Sequence, residues 1–221
     1  PTCRRIMNEH FKSCVFYLNH LPIEVVDSFL HLGHLFTSDL KDDADIIKVR
    51  ASFVRQVNNV LCYFRKLQLY VRYKLFQSYC TSLYGCELWI LNNCHIDDVC
   101  VAWRKSLRKI WYLPYCTHCN LLPLISNCLP LFDEICRRSL HFIRTCINHD
   151  SYLVRFVAQY GVFHTRSLSI LGQNVDFCAK RYDLAVRDVL LSPANGFINY
   201  AVKYFNSKSV NVDTSNSANF L

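Results

Sequence analysis

Glycine and proline are scarce in this chain of 221 residues, which contains only 5 Gly and 6 Pro. That composition excludes a collagen-like protein and a Pro/Gly-rich disordered chain. The sequence has no uninterrupted apolar run of eighteen residues or more, so we expect no membrane-spanning helix. It also lacks a charged start followed by an apolar run, the mark of a secretory signal. We therefore expect a soluble intracellular protein, nuclear or cytoplasmic, that is not secreted.

Hydrophobic residues, by contrast, make up 52% of the chain, and the net charge is +8. This apolar content is enough for one or two compact domains with a sizeable core. The chain begins at Pro1, and its only methionine is Met7. We therefore expect it to be a fragment of something longer.

Cysteine is unusually frequent, with 13 residues. In a small secreted protein such a count would indicate a disulfide framework. Here the number is odd, the chain is long, and most cysteines lie inside apolar periodic stretches: Cys62, Cys80, Cys100, Cys136 and Cys146. We therefore expect reduced thiols in the core.

Short β-prone runs come first in the chain, and helical periodicity follows. The runs 15–18 and 23–26, separated by the turn-forming segment 19–22, predict a hairpin, and a third apolar run covers 29–36. From Asp42 onward apolar residues recur three or four positions apart, which predicts a long amphipathic helix to about residue 67. Further helices are predicted over 71–83, 96–112, 121–126, 131–148, 175–191 and 197–205, and the chain after residue 148 is mostly helical in pattern. The predicted buried stripe of the helix over 96–112 consists of Val99, Trp103, Leu107 and Ile110.

The predicted fold is therefore mainly α, with an N-terminal β-hairpin and short strands followed by a helical bundle and further helices. We divide the chain into a β-hairpin and strand over 1–40, a helical bundle over 41–112 and a C-terminal helical region over 113–206. The polar tail over 207–221 is predicted to be disordered.

Two acidic doublets are the candidates for a catalytic carboxylate pair, since polymerases and nucleases use such pairs to hold two metal ions. Asp42-Asp43, with Asp45 nearby, opens the long helix, and Asp97-Asp98 opens the helix over 96–112. Acids are favoured in these positions because they face the positive end of the helix dipole. We therefore interpret both doublets as structural and assign this chain no catalytic residue and no cofactor.

Cys116 and Cys119 have the spacing of a zinc-ligand pair, and His141 with Cys146 offers a second pair. The second two lie five positions apart in a predicted helix, which places them on different faces. We therefore favour a loop cysteine pair and keep zinc at Cys116 and Cys119 as a minor hypothesis. The sequence has no nucleophile elbow, phosphate-binding loop or dinucleotide motif.

Positive charge is distributed unevenly, because two long intervals contain no acid. The first lies between Asp45 and Glu87 and the second between Asp98 and Asp133. A solvated helix face usually mixes the signs of charge, and like charges at i,i+4 repel each other. An anionic partner would balance these positive charges. The candidate nucleic-acid-binding residues are Lys48, Arg50, Arg55, Arg65, Lys66, Arg72, Lys74, Arg104, Lys105, Arg108 and Lys109.

A helix of about 25 residues is about 37 Å long, close to one turn of a nucleic-acid duplex, so its basic residues could follow a phosphate backbone. Aromatic side chains could stack on bases, although at helical spacing they are more often part of a core. The candidates are Tyr63, Tyr70, Tyr73, Trp89, Trp103 and Trp111. Two alternatives stay open: an acidic partner protein, or a basic surface that binds nothing in particular.

Three blocks, in this order, resemble the region downstream of the catalytic palm in the reverse transcriptases of non-LTR (LINE-type) retrotransposons. SFLHLGHLFTSDL at 28–40 looks like the family's "YLG" strand, with Leu32 and Gly33 matching and His31 standing where tyrosine is usual. LYGCELW at 83–89 is similar to "LYG.E.W", matched by Tyr84, Gly85, Glu87 and Trp89. WRKSLRKIW at 103–111 resembles the "R..LR.I" helix.

This resemblance covers about residues 15–150 and implies the thumb and C-terminal region of an RNA-directed DNA polymerase. A thumb would grip the RNA and DNA of the template-primer duplex without reading sequence, beside the palm and fingers of the parent polymerase. The family's "FADD" motif, which holds magnesium, is absent here, so we expect no polymerase activity from this chain alone. Two alternatives to this function are an all-α protein-interaction module with an acidic partner, and a fossil fragment with no selected function.

Overall fold

The computed structural model describes residues 16–165, 168–186 and 190. This part of the chain is mainly helical and begins with two short antiparallel hairpins, which confirms the predicted fold class. Within it, no helix combines the length and the apolar character needed to cross a membrane. The predicted helix over 197–205 and the predicted tail over 207–221 lie outside the described residues.

Both hairpins have two-residue turns with left-handed backbone conformations. Strand β1 (Phe16–Leu18) pairs with β2 (Leu21–Ile23) around Asn19 and His20, which have φ of 50° and 65°. Strand β3 (Ser28–His31) pairs with β4 (His34–Thr37) around Leu32 and Gly33, with φ of 47° and 84°. Two consecutive positive φ values are typical of the type I′ turn, which matches the twist of the strands.

This geometry corrects two expectations. The first turn is shorter than the predicted segment 19–22, because Pro22 lies in β2 opposite Tyr17. A two-stranded sheet tolerates this proline because no further strand needs its missing N–H. The run 29–36, predicted as one apolar segment, is folded back on itself at Gly33.

Seven α-helices follow in the described residues. They are α1 (Asp43–Tyr63), α2 (Leu69–Tyr79), α3 (Cys94–Ile110), α4 (Leu121–Ile125), α5 (Leu131–Ile147), α6 (Tyr152–Phe163) and α7 (Ile170–Tyr182), with a 3₁₀ turn at Cys86–Leu88 between α2 and α3.

The predicted helices match α3, α4 and α5 to within about two residues, whereas other boundaries were wrong. Helix α1 ends at Tyr63 rather than near residue 67, and α2 ends at Tyr79 rather than at residue 83. The predicted helix over 175–191 begins at Ile170 and stops at Tyr182, where Asp183 adopts a left-handed conformation, φ 52°. Helix α6 lies in the region after residue 148, for which the pattern predicts helix but no separate element with these bounds.

One connected core unites helices from both sides of residue 112. The stripe predicted for α3, comprising Val99, Trp103, Leu107 and Ile110, is fully buried, as are Ile46, Phe53 and Val57 of α1. Helix α1 packs on α3, and α5 packs on the 3₁₀ turn and on α6 and α7. The described cysteines are free thiols; Cys80, Cys100 and Cys136 are buried as expected, Cys146 is half-buried, and Cys62 is exposed.

The buried carboxylate of Asp45 joins three parts of the chain. Its Oδ2 accepts a hydrogen bond of 2.9 Å from Trp89 Nε1, and its Oδ1 accepts one of 2.9 Å from the backbone N–H of Leu35. Lys48 Nζ lies 2.9 Å from Oδ1, and His34 Nδ1 lies 3.1 Å from Oδ2. One side chain of α1 therefore holds β4 and the segment that follows the 3₁₀ turn.

Two further buried polar side chains attach the C-terminal helices. Asn174 of α7 accepts from the N–H of Leu91 at 2.9 Å and donates to the carbonyl of Trp89 at 2.8 Å. Asp133 at the start of α5 accepts from the hydroxyl of Tyr182 at 2.6 Å and from Arg181 at 3.2 Å. These bonds satisfy groups that would otherwise be costly to bury.

We expect Asp45→Asn to lower the free energy of unfolding at neutral pH by about 2–4 kcal/mol, because it removes the charge that Lys48 and several donors face in the interior. Urea denaturation followed by circular dichroism measures this. Asp98→Asn is the matched control, since the side chain of Asp98 is 57% exposed, and its effect should stay below about 0.5 kcal/mol. Equal losses in the two variants would contradict the structural role of Asp45.

The stability difference between the wild type and Asp45→Asn should also depend on pH. Burial by itself would raise the pKa of Asp45, but the hydrogen bonds from Trp89, Leu35 and Lys48 outweigh it and lower the pKa. Ionised Asp45 therefore stabilises the fold above its unfolded-state pKa of about 4, and this contribution is lost as pH falls through the lower folded-state pKa. Denaturation curves from about pH 6 to below about pH 3 should show the difference shrinking. A constant difference would contradict this.

Candidate nucleic-acid interface

A basic cavity of about 750 Å³ lies where the C-terminal end of α1, helix α2 and the C-terminal part of α3 meet. It unites residues from both acid-free intervals of the sequence. The residues that the structure describes around it include no acid. They are Leu61, Arg65, Arg72, Lys105, Arg108, Lys109, Tyr112, Leu113 and Tyr115, and we call this set the basic pocket.

The structure brings only some of the predicted basic residues together. Arg65, Arg72, Lys105, Arg108 and Lys109 line the basic pocket. Of the others, Lys48 binds Asp45 and the carbonyl of Gly33, and Arg104 lines a second cavity of about 910 Å³ that also contains Asp97 and Asp133. The remaining candidates are exposed outside the pocket: Arg50, Arg55, Lys66 and Lys74.

Arg72 is the residue whose placement differs most from the expectation of an exposed basic face, because its side chain is only 1% exposed. Its guanidinium donates to the carbonyl of Ile110 and, at 2.7 Å, to the hydroxyl of Tyr112. The same group lies 4.3 Å from the centre of the Tyr112 ring. Arg72 therefore ties α2 to the end of α3, and its role is to support the pocket rather than to contact a phosphate.

Tyr112 occupies a backbone position that usually favours glycine. It follows the last residues of α3 with φ of 52°, and the N–H of Leu113 donates to the carbonyl of Arg108 at 2.8 Å, the pattern of a Schellman cap. A left-handed non-glycine residue costs on the order of 1 kcal/mol. The hydrogen bond from Leu113 to Arg108 and the cation–π contact between Arg72 and Tyr112 offset this cost. The contact with Arg72 also fixes the direction of the Tyr112 ring.

A second arginine, Arg108 of α3, is fixed to the loop that follows this helix. Arg108 Nη2 donates to the carbonyl of Thr117 at 2.8 Å, and its guanidinium lies 5.7 Å from the centre of the Tyr115 ring. Tyr115 itself is 81% exposed. The loop after α3 therefore presents an open aromatic ring beside a braced positive charge.

Three exposed cations complete the basic pocket. Among the described residues, Arg65, Lys105 and Lys109 have no hydrogen-bond or ion-pair partner, and all three are exposed. Lys105 and Lys109 lie four positions apart on α3, so they face the same side and repel each other. The structure thus leaves an uncompensated positive potential over a concave surface, which attracts an anionic ligand.

The residues of the first two sequence blocks lie elsewhere, in the β3–β4 hairpin and around the 3₁₀ turn. Gly85 has φ of 86°, and a Cβ built there would lie 3.1 Å from His34 Nδ1, so both its conformation and its space require glycine. Trp89 is fully buried and donates to Asp45, and Gly33 lies beside the exposed ring of Tyr84. Leu32 is exposed in the β3–β4 turn, and Glu87 is half-buried in the 3₁₀ turn. In this chain the first two blocks form one structural unit.

The acids of the first doublet are bound by protein donors. Asp42 Oδ2 accepts from the N–H of Ile90 at 2.8 Å, and Asp43 Oδ1 accepts from Asn93 Nδ2 at 2.7 Å. Burial raises the pKa of Asp42. These contacts agree with the structural interpretation of Asp42-Asp43, whose carboxylates do not form a pair open to metal ions.

The hypothetical zinc pair lies on the surface in the loop before α4. Cys116 and Cys119 are exposed thiols, and Cys119 Sγ accepts a hydrogen bond of 3.4 Å from Arg108. In the described part of the chain, no three His, Cys, Asp or Glu side chains are grouped in a way that could hold a metal ion.

The aromatic residues expected to contact bases divide into two groups. Tyr73, Trp89 and Trp103 are buried and Trp111 is half-buried, whereas Tyr63 and Tyr70 are exposed but outside the basic pocket. The pocket contains Tyr112 and Tyr115 instead, which the sequence analysis did not select. Tyr112 is the last residue of the predicted helix over 96–112 and Tyr115 follows Pro114 outside it, so helical periodicity did not indicate either residue.

No protein-family model, curated protein or solved structure matches this chain.

We expect Arg72→Met to lower the free energy of unfolding by about 1–3 kcal/mol, because it leaves the carbonyl of Ile110 without its donor. Lys74→Met on the same helix is the matched control, since Lys74 is exposed, and should change stability by less than about 0.5 kcal/mol. Urea denaturation of the two variants tests this. A stability of Arg72→Met equal to that of the control would mean that Arg72 does not brace the pocket.

Proposed function

We propose that this chain binds nucleic acid without sequence preference, as the thumb and C-terminal fragment of a non-LTR retrotransposon reverse transcriptase. Its ligand is the RNA and DNA of a template-primer duplex. The observation that carries the proposal is the basic pocket, in which cations from two acid-free intervals converge with exposed aromatic rings and no described acid. The order of the three sequence blocks supports the parentage, and nuclear or cytoplasmic localisation is part of the same proposal.

Phosphate contacts would come from the exposed cations. Lys105, Lys109 and Arg65 each neutralise a phosphate and release counterions, so affinity falls as salt rises. Such contacts read charge and shape but no base identity, and affinities on the order of 10⁻⁴ to 10⁻⁶ M at physiological salt are typical. In this proposal the chain only binds the template-primer duplex, because its acidic doublets are not proposed as catalytic. Catalysis belongs to the palm of the parent polymerase.

We expect Lys105→Glu/Lys109→Glu to reduce affinity for a fluorescent RNA/DNA hybrid at least about 10-fold and to flatten the slope of log affinity against log salt by about 2. Fluorescence anisotropy over a salt series measures both quantities. Lys41→Glu/Lys180→Glu is the matched control, because it changes the net charge equally at exposed lysines outside the pocket. Its affinity should stay within about 3-fold of the wild type.

Equal losses in the two double variants would mean that overall charge, and not the basic pocket, carries binding. A folded wild-type chain that does not bind the hybrid would overturn the proposal. Poly-glutamate is the probe for the alternative function, a module that binds an acidic protein. Tighter binding of poly-glutamate than of the hybrid would favour that alternative.

A further inference from the structure

The basic pocket is too small for a double helix. Its volume of about 750 Å³ lies within the range of small-molecule sites, on the order of 300–1,000 Å³. A duplex could rest across its rim on Lys105 and Lys109, but only a single unpaired nucleotide or two could enter. The size of the cavity therefore admits unpaired nucleotides and excludes the duplex itself.

The walls of the pocket suit a base as well as a phosphate. Leu61 and Leu113 supply apolar surface, and the rings of Tyr112 and Tyr115 are 65% and 81% exposed. Nucleic-acid bases stack on such rings regardless of sequence, and each stacked base contributes measurably to binding of single strands. The internal bases of a duplex cannot use these rings, because they are already stacked on one another.

The ring of Tyr112 is held in place before any ligand arrives, and the exposed ring of Tyr115 lies beside a fixed cation. Tyr112 is bound by the buried guanidinium of Arg72 through a hydrogen bond of 2.7 Å, and its backbone is kept in a left-handed conformation. Tyr115 lies beside Arg108, which is itself fixed to the loop through Thr117. Backbone strain of this kind tends to occur at ligand-binding positions. Stacking a base on a pre-organised ring costs less conformational entropy than stacking it on a mobile ring.

The larger cavity of about 910 Å³ shows by contrast what makes the basic pocket selective. That cavity contains Arg104 and Arg181, but also Asp97 and Asp133, which would repel a phosphate. The basic pocket combines five cations with no described acid, and the side chains of three of these cations have no partner among the residues that the structure describes.

We propose that the basic pocket binds unpaired nucleotides at a single-stranded end of the nucleic acid, with a base against Tyr115 while Lys105 and Lys109 hold the adjoining phosphates of the duplex. This inference rests on the proposed function and refines it. The duplex contacts the exposed cations at the rim, and the strand that extends beyond the duplex enters the pocket. The selectivity is for an unpaired base, whatever its identity.

Three fluorescent probes test this by anisotropy: a blunt RNA/DNA hybrid, the same hybrid with a short single-stranded overhang, and the hybrid with an abasic overhang. We expect the full overhang to increase affinity over the blunt hybrid about 10-fold, within the range of stacking energies for one or two bases. The abasic overhang adds only phosphates, so it should recover a small part of that gain. Blunt and full-overhang hybrids that bind equally would overturn the inference.

Tyr115→Ala should remove most of the gain from the overhang, measured as the ratio of overhang to blunt-hybrid affinity of the same variant, and Tyr115→Phe should restore that ratio because it keeps the ring. Tyr79→Ala is the matched control, since Tyr79 is 63% exposed on α2 and does not line the pocket. A Tyr115→Ala variant that keeps the full gain would contradict the assignment to this ring. Binding of the blunt hybrid to the wild type separates the two proposals. If the wild type does not bind it, the proposed function fails. If the wild type binds it in a salt-dependent way but shows no preference for the overhang, this inference alone fails.

Discussion

The carboxylate of Asp45 is the contact on which the N-terminal half of the molecule depends. Its two oxygens receive Trp89, the backbone of Leu35 and Lys48, so one buried charge joins a hairpin, the longest helix and the segment that leads into α3. A buried charge is tolerated only when donors surround it. Near this site the backbone of Gly33 and Gly85 has positive φ, 84° and 86°, and a Cβ at Gly85 would lie only 3.1 Å from His34 Nδ1.

The basic pocket depends indirectly on these contacts of Asp45. The segment held by Trp89 and Asn93 leads directly into α3, and α3 packs on α1, so the helix that carries Lys105 and Lys109 is positioned by the core around Asp45. Arg72 then fastens the far end of α3 through Ile110 and Tyr112. A buried polar network at one end and a buried cation at the other thus create a rigid surface on which exposed charges can act.

Much of the helical framework could be predicted because burial repeats with the period of a helix. The stripe of α3 from Val99 to Ile110 was predicted correctly for this reason, and so were the approximate bounds of α3, α4 and α5. Turns were less predictable, since their geometry depends on a few dihedral angles. The turn at Asn19 and His20 lies inside the predicted turn segment 19–22, whereas the reversal at Leu32 and Gly33 lies inside a run that was predicted as one apolar segment. The site was predicted in part: charge pointed to Lys105 and Lys109, but nothing pointed to Tyr115.

The sequence by itself determined the fold class, the helical periodicity and the two intervals free of acid, because each is a property of neighbouring residues along the chain. Only the tertiary structure decided which cation does what. Arg72, Arg104 and Lys105 are all basic residues of the acid-free intervals, yet packing buries the first under Tyr112, places the second in a cavity that Asp97 also lines and leaves the third exposed at the pocket. The physical reason is that burial and partners are set by contacts between residues about 40 positions apart, as between Arg72 and Tyr112, and no local pattern encodes such contacts.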